Sequence, residues 1–195
     1  WGKLTNCGQI CVAPDHVFVH ESVKDRFVAE CRKVLVERYG ATPEAQRACR
    51  DLTGVINQRH TQRIAGLLQD AVAKGARTLT GGEVDVAGCY TAPALLEQVP
   101  RDAASMSEEI FGPLLPILTF RNVDEVVRQI NEGPKPLALY VFSQDKARTR
   151  RILAQTSSGG VAINQVVLHY AQGNLPFGGV NNSGIGNAHG EFGFK

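Results

Sequence analysis

The chain has little that would single it out by composition. It holds one methionine, one tryptophan and no excess of either charge, with 21 Lys and Arg against 19 Asp and Glu, a net charge of +2. A nucleic-acid protein ordinarily shows a basic patch, and a disordered tail shows charge with few apolar residues. Neither pattern is present, so nucleic-acid binding and disorder are not expected. No apolar run approaches the roughly 18 residues of a membrane span, and no signal-peptide pattern stands at the start. The five cysteines are scattered at 7, 11, 31, 49 and 89, an odd count with no disulfide framework. A reducing, cytoplasmic setting is the expectation. The sequence opens on Trp1 and closes on Phe194-Lys195, which suggests a piece of a longer protein. Its 195 residues are enough for a substantial core without disulfides or a metal.

Cys7, Cys11, His16 and His20 superficially resemble a zinc finger. Val17-Phe18-Val19 between the histidines is strand-like, which would set His16 and His20 roughly 13 Å apart on one face. Zinc holds each ligand within about 2.3 Å, so no metal is expected.

The remaining chain alternates helix and strand signals. Residues 22–39 read as an amphipathic helix, with Ser22 as N-cap, Asp25 completing a capping box, Gly40 as the stop, and Val23, Phe27, Cys31, Val34 and Leu35 inward. A second helix is expected over 58–74, burying Ile64, Leu67, Leu68, Ala71 and Val72, with Gly75 as its stop and Asn57, Arg59 and His60 as capping and surface residues at its start. Strands are expected at 77–80, 90–96, 114–120, 137–142 and 159–164, with Pro93 marking an irregularity and Gly81-Gly82 a turn. Asn122 should cap a helix over 123–131, and Ser143 one over 144–155. This order predicts an α/β fold with a mostly parallel sheet covered on both faces. The stretch 173–193 is rich in Gly and Asn and is either mobile or shaped by what it wraps.

Three places in this order can carry chemistry. In Asn6-Cys7-Gly8-Gln9-Ile10-Cys11-Val12-Ala13-Pro14, a turn before a strand can present a cysteine as a nucleophile. Attack needs the thiolate, so such a site must exploit a thiol whose ordinary pKa is about 8.5. By pattern alone each cysteine reads first as a buried hydrophobe. In Glu108-Glu109-Ile110-Phe111-Gly112-Pro113 the carboxylates suit base chemistry, hydroxyl binding or a solvated loop. The third is Leu175-Pro176-Phe177-Gly178-Gly179 with Asn182-Ser183-Gly184-Ile185-Gly186. Its Gly184-x-Gly186 spacing is not a dinucleotide fingerprint, because no helix of a βαβ unit can follow it in this sequence.

Taken together, Asn6-x-Gly8-Gln9-x-Cys11-x-Ala13-Pro14, Glu109-Ile110-Phe111-Gly112-Pro113 and Pro176-Phe177-Gly178-Gly179 with Ser183-Gly184-x-Gly186 resemble the catalytic-domain motifs of the aldehyde dehydrogenase superfamily, in that family's order and over the whole chain. The stretches Lys135–Phe142 and Thr156–Gly160 further resemble its class 3 and coniferyl-aldehyde branch. The resemblance implies a three-layer α/β/α catalytic domain over 1–195, and oxidation of an aldehyde to a carboxylic acid with NAD or NADP in the full-length protein. It implies Cys11 as the nucleophile, since Cys7 precedes the Gly-Gln pair. It implies Glu109 on the nicotinamide ribose hydroxyls, Phe111 beside the nicotinamide, Ile10, Val12 and Phe177 in the aldehyde pocket, and His189 near the pocket entrance. Asn181-Asn182 departs from relatives that carry Gly or Lys at the first position. The family's general-base glutamate, oxyanion asparagine, dinucleotide-binding domain and dimer-forming segment have no counterpart in this sequence, so the fragment alone is expected to lack dehydrogenase turnover. The full-length protein is expected to be a homodimer or homotetramer. Two other readings remain open: a cysteine-dependent esterase or thioesterase, and a non-enzymatic binding module with Cys11 inert.

Overall fold

In the computed structural model, which describes residues 1–194, the chain divides into two units, Trp1–Arg121 and Asn122–Lys195. The first unit runs β1 (Val17–His20), α1 (Lys24–Tyr39), α2 (Pro43–Ala48), α3 (Gln58–Ala73), β2 (Arg77–Thr80), β3 (Val84–Asp85), β4 (Tyr90–Thr91), β5 (Ala94–Glu97), α4 (Ala104–Ser107) and β6 (Leu114–Phe120). Its main sheet has the order β1-β6-β5-β2, with β6 parallel to both β1 and β5 and only β2 antiparallel. The small strands β3 and β4 pair antiparallel.

The period-two alternation of the central strands explains the layering. On one face, Ala94, Leu96 and Leu114 pack with Ile64, Leu67, Leu68 and Ala71 of α3. On the other, Leu95, Leu115 and Ile117 pack with Phe27, Val28 and Cys31 of α1. Within this unit the sheet is therefore covered on both faces, as the helix–strand alternation implied. Pro116 sits in a central strand opposite Leu96, a place proline seldom takes because it has no amide to donate. Pro93 falls in the gap between β4 and β5, where the expected single strand over 90–96 breaks in two. Gly81 and Gly82 both take positive φ, and a side chain at Gly81 would meet the carbonyl of Pro93.

Several expectations need correction. Residues Glu21–Val23 form a 3-10 turn, and α1 begins only at Lys24 with no side-chain cap. Ser22 does not cap α1; its amide donates to Nδ1 of His20 at 3.3 Å. Val23 and Val34 are exposed, because the inward stripe runs through Phe27, Val28, Cys31 and Leu35. Val72 is likewise exposed, whereas Thr61 and Ala65 join the buried face of α3. The short α2 was not expected; Thr42 caps it by accepting from Ala45 N at 3.2 Å, and Pro43 opens it. Asn57 caps α3 by accepting from His60 N at 3.0 Å.

The second unit runs α5 (Val123–Glu132), β7 (Ala138–Val141), α6 (Lys146–Gln155), β8 (Gly160–Ile163) and α7 (Gly190–Phe194). Strands β7 and β8 pair parallel. Asn122 caps α5, accepting from Asp124 N at 3.0 Å. Helix α6 starts later than expected, because Asp145 rather than Ser143 is the N-cap and accepts from Arg148 N at 2.9 Å. Ser143 Oγ instead accepts from Asp145 N at 3.1 Å, one step upstream. The Gly- and Asn-rich stretch is shaped largely by itself. Phe177 and Ala188 form an antiparallel bridge, and side chains at Gly178 or Gly179 would strike the backbone of Gly186 or Ser183.

Candidate active site

Cys11 lies in a turn ahead of β1, and the residues around it show why it stands out. Asn6 and Cys7 both adopt left-handed conformations, with φ of 51° and 56°, and Gly8 follows at 75°. Three such residues in succession reverse the chain sharply, at a cost that only glycine avoids. The reversal turns Cys7 inward, where it is 1% exposed in the core beneath α3. Burial pushes its thiol up to about 11, so Cys7 is held protonated near neutral pH. Downstream, Ala13 N donates to Ile10 O at 2.9 Å, closing a tight turn, and Val12 is 1% exposed. Cys11 falls between these anchors and is exposed to solvent. Ile10 is half-buried. Val12 supports the turn from within and presents no surface of its own in this unit.

The loop Glu109-Ile110-Phe111-Gly112 packs directly against this turn. A side chain at Gly8 would overlap the carbonyl of Gly112, and one at Gly112 would overlap Ile64 of α3. Asp15, four residues beyond Cys11, accepts from Ile110 N at 3.1 Å. Arg63 on α3 donates to the carbonyl of Glu109 at 3.0 Å and also to that of Ile110. The backbone around Glu109 is thus held from two sides, while its carboxylate remains exposed. Phe111 takes a φ of 46° and is 38% exposed. Crowding by the loops raises the Glu109 carboxyl above the ordinary range, and the charge of Asp15 adds to this, whereas Arg63 and Lys3 oppose it.

Lys3 sits below this junction, 8% exposed, with its Nζ 3.8 Å from Asp15 Oδ1 and no hydrogen bond among the described residues. Desolvation lowers its pKa to about 8, against the pull of Asp15. An ammonium buried with only one distant partner is costly.

In the second unit, Phe177 is the hub of a ring cluster. Its ring stacks on His189 at 5.7 Å and meets Tyr170 edge-on at 5.6 Å and His169 at 5.9 Å. His169 also meets Tyr140 at 5.6 Å. Nδ1 of His189 lies 3.0 Å from the carbonyl of Leu175, which can only accept, so the proton is on Nδ1 and Nε2 keeps its lone pair in the neutral ring. A side chain at Gly160 would collide with His169, so glycine makes room for this ring.

The structure therefore brings Ile10, Cys11 and Val12 together with Glu109 and Phe111 in one unit, and Phe177 together with His189 in the other. Lys3, Asp15, Arg63, His169 and Tyr170 were not singled out by sequence. An isolated Arg on a helix or Asp after a proline carries no local signal for a partner nearly fifty or a hundred residues away.

Comparison with known proteins bears on all of these motifs at once. The model of the aldehyde dehydrogenase family matches residues 1–195. Mouse aldehyde dehydrogenase family 3 member A2 is 43% identical over 194 residues, covering 100% of this chain and 38% of that protein. The dog dimeric NADP-preferring aldehyde dehydrogenase is 43% identical over 195 residues, covering 41% of that protein. A solved structure of Staphylococcus aureus AldH in a substrate-bound state superposes with a TM-score of 0.91 at 44% identity, over 99% of this chain and 41% of that one. The chain thus spans about two fifths of the length of these relatives. The α/β architecture with its mostly parallel main sheet is the aldehyde dehydrogenase type, and the relatives include class 3 enzymes. With motifs, fold and whole-chain similarity in agreement, the chain belongs to the aldehyde dehydrogenase family.

Proposed function

We propose that this chain is the catalytic part of an enzyme that oxidises an aldehyde to a carboxylic acid with NAD or NADP, and that Cys11 is its nucleophile. The observation that carries the reading is the opposite treatment of the two nearby cysteines: Cys7 is buried with its thiol pushed up to about 11, whereas Cys11 is exposed between two fixed anchors. Only the second can meet a substrate without unfolding the loop.

In this reading the Cys11 thiolate adds to the aldehyde carbon and forms a thiohemiacetal. Developing negative charge on oxygen is met by fixed donors, which in enzymes of this kind are worth about 3 kcal/mol each. Loss of hydride from the same carbon leaves a thioester on Cys11. Water then hydrolyses it, releasing the acid and restoring the thiol. The general base and the oxyanion asparagine implied by the family resemblance belong to parts of the protein outside this sequence.

The nicotinamide end of the cofactor suits the residues present. Glu109 offers an exposed carboxylate that can accept from two neighbouring ribose hydroxyls, and its backbone is held by Arg63 and Asp15. Phe111 offers a partly exposed ring two residues on. Bound there, the cofactor supplies the hydride acceptor. In the first unit Ile10 flanks Cys11 with Val12 backing it, and in the second Phe177 and His189 form a stacked aromatic pair; by the family resemblance each of these belongs to aldehyde binding. The apolar character of Ile10, Val12 and Phe177 suits an aromatic or medium-chain aldehyde, coniferyl aldehyde among them. The full-length protein is proposed to be a homodimer or homotetramer; the dog relative is named as dimeric. No helix among the described residues is long and apolar enough to cross a membrane.

The test is aldehyde-dependent reduction of NAD or NADP by the full-length protein, with Cys11→Ser in parallel. Loss of turnover with retained folding is expected; dehydrogenase activity in a verified Cys11→Ser protein would overturn the reading.

A further inference from the structure

Gln9 stands two residues before Cys11, and its carboxamide is almost fully engaged. Nε2 donates to Asn6 O at 3.0 Å and to Gly54 O at 3.1 Å, and Oε1 accepts from Ile56 N at 2.9 Å. A primary amide has two donor hydrogens and two acceptor lone pairs, so three of its four positions are used. In return, Asn6 Nδ2 donates to Gln9 O at 3.1 Å. One side chain therefore binds the left-handed reversal at Asn6–Gly8 to the segment that leads into α3. At the far end Val55 is buried in the core and its amide donates to Cys89 O at 2.8 Å, so the clamp ties the turn to a fixed point, while Ile56 itself is exposed.

We infer that Gln9 is a positioning residue for the Cys11 thiol, through this three-bond clamp between the nucleophile turn and Gly54–Ile56. The inference rests on the reading of Cys11 as nucleophile. Downstream, the turn is fixed by Val12 and by the Ala13–Ile10 bond; upstream, the buried Cys7 anchors it by packing, and the Gln9 side chain ties it by hydrogen bonds to Gly54–Ile56. Shortening the side chain frees one flank of Cys11 without touching the sulfur, the substrate or the cofactor. Misplacing a reacting atom by about 1 Å can lower a rate on the order of a hundredfold.

The experiment uses the full-length enzyme with Gln9→Ala, Gln9→Glu and Cys11→Ala. Two quantities are read: kcat and the aldehyde KM, and the rate of iodoacetamide alkylation at Cys11, located by mass spectrometry. For Gln9→Ala, a fall in kcat of roughly tenfold or more is expected, with KM within about threefold and the Cys11 alkylation rate altered in the same protein. Gln9→Glu keeps the acceptor for Ile56 N but, when ionised, sets a carboxylate against two carbonyls. Protonation restores one donor. Its alkylation rate relative to the unsubstituted enzyme should therefore recover as pH falls, a profile that mere loss of stability does not produce.

A folded Gln9→Ala enzyme with unchanged kcat and unchanged Cys11 alkylation overturns the inference. If Gln9→Ala does not fold, Gln9→Glu decides, and a pH-independent ratio to the unsubstituted enzyme overturns it. Turnover retained by Cys11→Ala sinks the nucleophile assignment instead, while the alkylation data still report whether Gln9 positions that thiol.

Discussion

A side chain at Gly8 cannot coexist with the carbonyl of Gly112 where it now lies. Gly8 belongs to the turn that carries Cys11 and Gly112 to the loop that carries Glu109, so this close approach sets how near the two segments can come. The Asp15–Ile110 bond and the Arg63 guanidinium then hold the second loop in that position.

Gly8→Ala should therefore be among the more damaging small substitutions in the chain. It combines a left-handed backbone at φ 75° with backbone overlap that no rotamer change can relieve. A loss of at least about 2 kcal/mol is expected. Urea denaturation measures it, and a loss below about 0.5 kcal/mol would show that the two loops separate easily.

Arg63→Met should weaken cofactor use before it weakens aldehyde binding. It removes two charge-assisted bonds to the carbonyls of Glu109 and Ile110, each worth about 1.5–3 kcal/mol. The cofactor KM of the full-length enzyme should rise roughly tenfold or more, with a smaller change in aldehyde KM. Equal changes in both would argue against a loop that acts on the cofactor side alone.

Cys7→Ala and Cys11→Ala should part company. The first removes a buried sulfur from the α3 core and should cost about 1–2 kcal/mol of stability while activity stays within a few fold. The second should leave stability within about 0.5 kcal/mol, as expected for an exposed side chain, and abolish turnover. Paired thermal melts and steady-state assays separate the two outcomes.

Lys3 makes a signed prediction about pH. Its pKa in the folded protein is about 8, below its ordinary 10.5, so between these values the unfolded chain holds a proton that the folded chain has released. Stability from this group must then rise as pH rises through that window, and below it the folded state bears the cost of the buried ammonium. The difference is on the order of 3 kcal/mol. Lys3→Met should remove this slope and raise stability at neutral pH. Urea denaturation of both proteins at several pH values tests it; parallel curves would mean that Lys3 is ionised alike in both states.

Much of the fold was legible because it depends on local periodicity. The apolar spacing from Ile64 to Ala71 anticipated α3, and Leu114–Phe120 was read as a strand with the observed bounds. Errors gathered at helix ends. Ser22 and Ser143 both have capping chemistry, yet each is drawn into a turn just upstream, by His20 and by Asp145. The short α2 has its own local signal in Thr42-Pro43-Glu44, a cap, a proline and an acidic first turn. Among the candidate residues, Cys11 and Glu109 of the first unit and Phe177 of the second stood out through motifs. Gln9, Asp15 and Arg63 owe their importance to partners 45 to 95 positions away, and no local pattern encodes such pairings.

Cys7 also makes the first unit its own gauge of breathing. Its thiol lies under α3, so a reagent reaches it only when that layer lifts from the sheet. Once Cys11 and the partly exposed Cys31, Cys49 and Cys89 are capped, the slow last modification at Cys7 counts those openings, much as a protected amide counts them by exchanging its hydrogen. The free energy of lifting α3 can then be followed with one mass measurement over time, with or without cofactor, in a protein that needs no added label.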